Sequence, residues 1–176
     1  MPDTAAKDAP GIAPRLAPGI TLETSLDRAA ALCTRRGAQL TALRRQVLRL
    51  VLEAEQPVGA YALLDRLKAS RAGAAPPTVY RALDFLVEQG LIHKVERLGA
   101  FIGCVEVEDH PVDCDCGAAH DHPHQFLICS RCGATAEVSD PGVALALKRA
   151  AAAAGFALAR STVEAEGVCA NCQKAG

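Results

Sequence analysis

The residues best suited to chemistry in this 176-residue chain are its thiols and imidazoles. Cys129-x-x-Cys132 and Cys169-x-x-Cys172 are two copies of a turn that presents a pair of sulfurs on one side. Two such turns, separated by a strand, a helix and another strand, can bring four thiolates to the corners of a tetrahedron, the geometry of a closed structural zinc site. Gly133, directly after the first pair, permits the tight knuckle that such a turn needs. The same four ligands also serve a rubredoxin-like iron centre, so spacing alone leaves zinc and iron both open. Metal binding to an unformed site contributes folding free energy on the order of 10 kcal/mol, so loss of the metal is expected to unfold or monomerise the domain carrying these turns.

The remaining donors are unevenly spread. Seven of the eight cysteines and four of the five histidines lie beyond residue 100, leaving only Cys33 and His93 before it. Apart from the paired turns, that second half holds Cys104 and a polar segment with His110, Cys114, Cys116, His120, His122 and His124. Residues 1–20 lack the apolar stretch of a secretory signal, and no apolar run approaches the roughly 20 residues of a membrane span. A cytoplasmic protein with no membrane partner is therefore expected, in which thiols stay reduced and serve metal rather than disulfides. Neither the deaminase His-x-Glu nor His-Glu-x-x-His occurs, and a closed four-sulfur site offers water no open position. A zinc hydrolase is set aside, with no catalytic residue and no small-molecule substrate expected.

The net charge of -1 hides a division. Residues 27–97 carry twelve basic against seven acidic side chains, a balance of +5, while residues 98–176 carry five against ten, a balance of -5. Phosphate binding depends on local charge, so the first half is suited to a nucleic acid and the second to metal.

Apolar periodicity supplies the scaffold for these groups. Leu22, Leu26, Ala29, Ala30 and Cys33 share one helical face, with Gly37 as a stop. Thr41 caps a second helix that buries Leu43, Val47, Leu50 and Val51 and ends at Pro57. A third helix carries Tyr61, Leu63, Leu64 and Leu67. Pro76 and Pro77 open a fourth, with Val79, Leu83, Leu86 and Val87 as its core stripe and Gly90 as its end. Strands at 91–97 and 101–107 around a turn at 98–100 complete a winged helix-turn-helix. After a polar loop come strands at 125–128 and 134–138, a helix at 143–154 stopped by Gly155, and a strand at 157–166. The expected class is α+β: a flexible arm (1–20), a winged helix-turn-helix DNA-binding domain (21–107), a ligand-rich interdomain loop (108–124) and a small α/β zinc-binding domain (125–176).

The run Pro76-Pro77-Thr78-Val79-Tyr80-Arg81-Ala82-Leu83, with Gly90 and His93 after it, Leu40-Thr41 and Arg44 before it and both cysteine pairs downstream, closely resembles the Fur family of metalloregulators. Within that family the chain is most similar to the zinc-uptake branch. The resemblance covers about residues 22–172. It implies a homodimer, with residues 125–176 as its dimerisation domain, that binds palindromic operator DNA and represses zinc-acquisition genes when zinc is plentiful, an iron or peroxide sensor of the same family being the alternative. It further implies a regulatory zinc site at His93, Cys104, His122 and Glu137, beside the structural zinc at Cys129, Cys132, Cys169 and Cys172. That makes two zinc ions per subunit. His124 is an alternative to His122, and His110, Cys114, Cys116 and His120 offer donors for a third ion. A thiolate among the ligands favours zinc over iron, whose sites generally prefer nitrogen and oxygen.

A helix-turn-helix places the N-terminal residues of its second helix against base edges, so Thr78, Tyr80 and Arg81 are expected to meet DNA. Arg81 is suited to a bidentate pair with guanine. Arg44, Arg45 and Lys94 are expected at phosphates, and the resemblance adds Tyr61.

Overall fold

A computed structural model describes residues 20–70, 75–104, 124–158 and 161–175, which fall into two compact units, 20–104 and 124–175. The first unit begins with α1 (Leu22–Arg35), whose cap Thr21 accepts the Thr24 amide at 3.2 Å. In α2 (Ala42–Leu52) the Thr41 hydroxyl accepts the Arg44 amide at 3.5 Å. There follow β1 (Val58–Gly59), α3 (Ala60–Ser70), α4 (Pro76–Glu88), β2 (Ile92–Val95) and β3 (Ala100–Gly103). The three strands form an antiparallel sheet in the order β1-β3-β2.

The apolar stripes read from the sequence converge on one core. Leu26 and Cys33 of α1, Val47, Leu48 and Val51 of α2, Leu63 and Leu67 of α3, and Val79, Leu83 and Leu86 of α4 are buried together with Ile92. Each buried Leu or Ile contributes about 1.5–3 kcal/mol relative to exposure, so this cluster fixes where the outer face of α4 points.

Several boundaries differ from expectation. The first wing strand is shorter than 91–97, because Glu96, Arg97 and Leu98 form a 3-10 turn, closed by Gly99 at φ 57; of the second, expected at 101–107, residues 105–107 lie outside the described residues. A turn of that type requires the left-handed conformation that glycine adopts without strain. The second helix stops at Leu52, well before Pro57, because the chain must straighten to pair Val58 with Phe101 and Gly59 with Ala100. That pairing creates β1, which the sequence does not announce.

In the second unit β4 (His124–Cys129) is central, with β5 (Thr135–Val138) antiparallel on one side and β6 (Thr162–Gly167) parallel on the other. His124, expected to close the polar loop, is instead the first residue of β4, paired with Thr162. The last strand begins at Thr162 rather than at 157.

The parallel crossover is α5 (Pro141–Ala153), capped by Asp140, whose carboxylate accepts the amides of Gly142 at 2.6 Å and Val143 at 3.3 Å. Gln125, itself buried on β4, donates to the Asp140 carbonyl at 2.9 Å and so ties the helix start to the sheet. A further short helix, α6 (Ala170–Lys174), was not expected; it begins inside the second cysteine pair. No residue of α5 is buried, and Leu145 is 51% exposed. Phe156, past the end of that helix, is 71% exposed. Among the described residues no helix is long and apolar enough to cross a membrane. Apart from Ile20 and His124, the expected arm (1–20) and loop (108–124) lie outside the described residues.

Candidate metal centres and nucleic-acid interface

Cys129 ends β4, Cys132 follows it in the knuckle, and Cys169 and Cys172 bracket the start of α6. The knuckle is shaped by its backbone. The Gly133 amide donates to the Cys129 carbonyl at 2.9 Å and the Cys129 amide to that of Ala134 at 2.8 Å, with Gly133 at φ 71. The second turn is tied to the first: Arg131 donates to the Cys172 carbonyl at 2.8 Å, and the Ser130 amide to that of Gly167 at 2.9 Å.

All four sulfurs lie within 4.8 Å of one another, and those of Cys132 and Cys169 are 3.8 Å apart. Sulfurs bonded to tetrahedral zinc at about 2.3 Å stand about 3.8 Å apart, whereas a disulfide needs about 2.05 Å. The donor set therefore fits zinc. Its electrostatics point the same way. The Cys169 amide, donating at 3.3 Å, and then that of Cys132 pull the Cys129 thiol down to about 6. Cys172, hydrogen bonded to Cys132 and then Cys169, is pushed up to about 12. Four thiols this close cannot all ionise without a cation among them, and a divalent ion supplies that compensation.

A second pair of donors sits on the wing. In the antiparallel ladder Ile92 faces Gly103 and His93 faces Ile102, so Cys104, one residue beyond, stands opposite Leu91. Alternation along the strands then puts His93 and Cys104 diagonally on the same face. A ring nitrogen of His93 and the Cys104 sulfur lie within 4.8 Å. Nitrogen and sulfur ligands of one tetrahedral zinc stand about 3.5 Å apart, so this pair also fits. Glu137 is on β5 of the second unit, opposite Phe126. His122 lies outside the described residues, as do His110, Cys114, Cys116 and His120; of the two loop candidates, the backbone of His124 is in β4.

The residues expected at DNA occupy the outer side of the helix-turn-helix. Thr78 and Arg81 are exposed on the first turns of α4, and Tyr80 is 42% exposed. Tyr61, at the start of α3, is 71% exposed, so neither tyrosine is a core residue. Thr41, Leu43 and Arg44 from the start of α2 meet Thr78, Arg81 and Ala82 of α4 around an open cleft.

The expected phosphate partners are engaged within the unit. Arg44 lies over the Phe85 ring, 3.5 Å from its centre, and donates to the Gln39 carbonyl at 2.7 Å. Lys94 pairs with Glu96 at 2.6 Å. Arg45 bonds Asp27 at 2.7 Å and Glu23 at 3.1 Å, and Arg49 also bonds Glu23. Arg81 makes no ion pair among the described residues. Sequence reasoning missed the bridge from α1 to α2, although carboxylates four apart on one helix and arginines four apart on the next were a visible signal. It also missed the bond from Arg36 to the Gln89 carbonyl, at 2.6 Å, because a carbonyl acceptor leaves no mark in a sequence.

The model of the Ferric uptake regulator family matches residues 35–166. Among characterised relatives, the chain is 41% identical over 152 residues to the zinc uptake regulation protein of Escherichia coli (strain K12), spanning 86% of this chain and 83% of that protein. Among solved structures it is similar to a zinc uptake regulator complexed with zinc and DNA, with a TM-score of 0.78 and 40% identity, covering 89% of this chain and 97% of the other. The holo form of XcZur is similar with a TM-score of 0.70 and 41% identity, covering 85% and 96%.

Proposed function

This chain belongs to the ferric uptake regulator family, and we propose that it is a zinc-responsive transcriptional repressor, not an enzyme, working in the cytoplasm as a homodimer on palindromic operator DNA upstream of zinc-uptake genes. The observation that carries the metal assignment is the juxtaposition of Cys104 with His93 on one face of the wing. A sulfur ligand in a sensing site discriminates against iron, and the similarity to relatives named for zinc supports the same choice.

In this reading His93 and Cys104, together with His122 and Glu137, hold the regulatory ion, with His124 as the substitute for His122. Cys129, Cys132, Cys169 and Cys172 hold a structural one, giving two per subunit, and the donors His110, Cys114, Cys116 and His120 have capacity for a third. Zinc bound at the first site would supply a redox-inert cross-link between its ligands. His93 and Cys104 then fix the wing, and with it the presentation of Thr78, Tyr80 and Arg81 to the major groove. Arg81 offers its guanidinium to a guanine, Tyr61 and Tyr80 contribute aromatic contacts, and Arg44, Arg45 and Lys94 supply charge along the phosphates. A dimer fixes the spacing of two such helices, which must match successive major grooves of a palindrome.

The test is a DNA-binding titration against buffered free zinc, manganese and iron. Tight binding is expected with zinc at the lowest free concentration. Binding that follows iron or manganese instead would replace this reading with that of an iron or peroxide sensor, and binding that ignores all three would remove the sensing role.

A further inference from the structure

Three residues, Gln89, Gly90 and Leu91, join the end of α4 to β2, the strand that carries His93. Their geometry is fixed. The amides of Gly90 and Leu91 fold back onto the carbonyls of Val87 at 3.0 Å and Leu86 at 2.9 Å, with Gly90 in the left-handed conformation at φ 68.

Two carbonyls of this joint are held from outside it. Leu91 accepts the Cys104 amide at 3.2 Å. Gln89 accepts Nη1 of Arg36 at 2.6 Å, in a partly buried bond spanning 53 residues of sequence. Arg36 is the C-cap of α1. The position suits a cation, because the exposed carbonyls at the end of α4 carry partial negative charge. The helix from which Arg36 reaches is itself fastened to α2 through Glu23, Asp27, Arg45 and Arg49. The joint is thus gripped on one side by Cys104, the residue after β3, and on the other by the body of the unit.

Resting on the reading of the chain as a zinc-dependent DNA binder, we propose that Arg36 is a positioning residue that couples the His93 and Cys104 pair to the recognition helix α4. A shift of β2 accompanying a change at His93 or Cys104 reaches α4 through a joint whose reference point is the Arg36 guanidinium. Without that bond the end of α4 follows the wing loosely, and occupancy of the metal site is only weakly felt at Thr78, Tyr80 and Arg81.

The experiment uses full-length wild-type protein, Arg36→Met, Arg36→Lys and, as a control for loss of an exposed charge on the same helix, Arg35→Met. Each is titrated with a palindromic duplex recovered by selection on the zinc-saturated wild type, once at saturating buffered zinc and once with the regulatory site emptied by a mild chelator. The ratio of the two affinities is the coupling, expected at about 5- to 150-fold in the wild type.

Arg36→Met, which keeps the apolar stem and removes the donors, is expected to lower that ratio by roughly tenfold, or to unity where the wild-type ratio is smaller, the scale of a lost hydrogen bond to a charged group. Arg36→Lys should fall between, and Arg35→Met should match the wild type. A contribution to folding alone would weaken DNA binding equally with and without zinc. A wild-type ratio in Arg36→Met therefore overturns the proposal. If Arg36→Met does not give a folded dimer, the same criterion is applied to Arg36→Lys: a lowered ratio supports the coupling, an unchanged one overturns it. A wild-type ratio of one would sink the zinc-sensing reading itself and this inference with it.

Discussion

Cys132 lies in an exposed knuckle with its sulfur 3.8 Å from that of Cys169, so its serine variant isolates one corner of the four-sulfur cluster. A hydroxyl is a poor zinc ligand beside three thiolates, and the second unit has little apolar burial to hold it otherwise: Phe126 and Ile128 are its main buried residues. Cys132→Ser is expected to lose bound zinc and cooperative unfolding of this unit, read by elemental analysis and thermal melting. A dimer that melts cooperatively with a full complement of zinc would refute the structural assignment. The four cysteines were legible because a Cys-x-x-Cys turn is a local pattern whose chemistry follows from two residue types and a spacing. The diagonal pairing of His93 with Cys104 was legible only through the resemblance, since it depends on the register of two strands. Arg44 shows the opposite limit: its charge was visible, but not that the Phe85 ring lies 3.5 Å from it.

Among the elements, the ion pairs joining α1 to α2 carry a pH signature. The Arg49 and then Arg45 guanidiniums hold the Glu23 carboxyl below its ordinary value of 4.5. A carboxylate depressed in the folded state contributes stability that is fully present above its unfolded value and is lost as pH falls through the folded one. The bridge should therefore act at neutral pH and fade on acidification below about 4.5. The difference in urea midpoint between wild type and Glu23→Gln is expected to be small, because Glu23 is exposed, and to shrink steadily as the pH is lowered through the acid range. A difference that persists undiminished down to the acid unfolding limit would show that the charge is not its source. Helices α1 to α5 were legible from apolar periodicity and from stops such as Gly37 and Gly155, whose φ values are 68 and 77. Strand β1 was not, because two residues become a strand only by pairing with Phe101 and Ala100. The sequence pattern carries the first wing strand on to Arg97 where β2 stops at Val95, since nothing in Glu96 and Arg97 distinguishes a 3-10 turn from an extended run.

Across the whole molecule, the +5 and -5 halves of the sequence correspond to the two kinds of site: exposed Arg81 with the helical unit, and the four-sulfur cluster with the sheet of β4, β5 and β6. The second unit leaves α5 with no buried residue, and Leu145, Phe156 and Leu127 are all half exposed or more. Apolar surface of that kind marks an association site, and for a homodimer the two copies cover each other. Leu145→Glu is expected to give a monomer by light scattering while the helical content of the first unit is retained; a variant that remains dimeric would remove α5 from the interface.

Whether a thiolate-imidazole pair on the wing governs DNA binding is decided by fluorescence anisotropy of the operator duplex with wild type and Cys104→Ser across a series of buffered free-zinc concentrations. Wild type is expected to gain affinity as zinc rises, while Cys104→Ser stays a folded dimer with its structural zinc and remains weak throughout. A Cys104→Ser protein whose affinity rises with zinc along the wild-type curve would contradict that role for the pair.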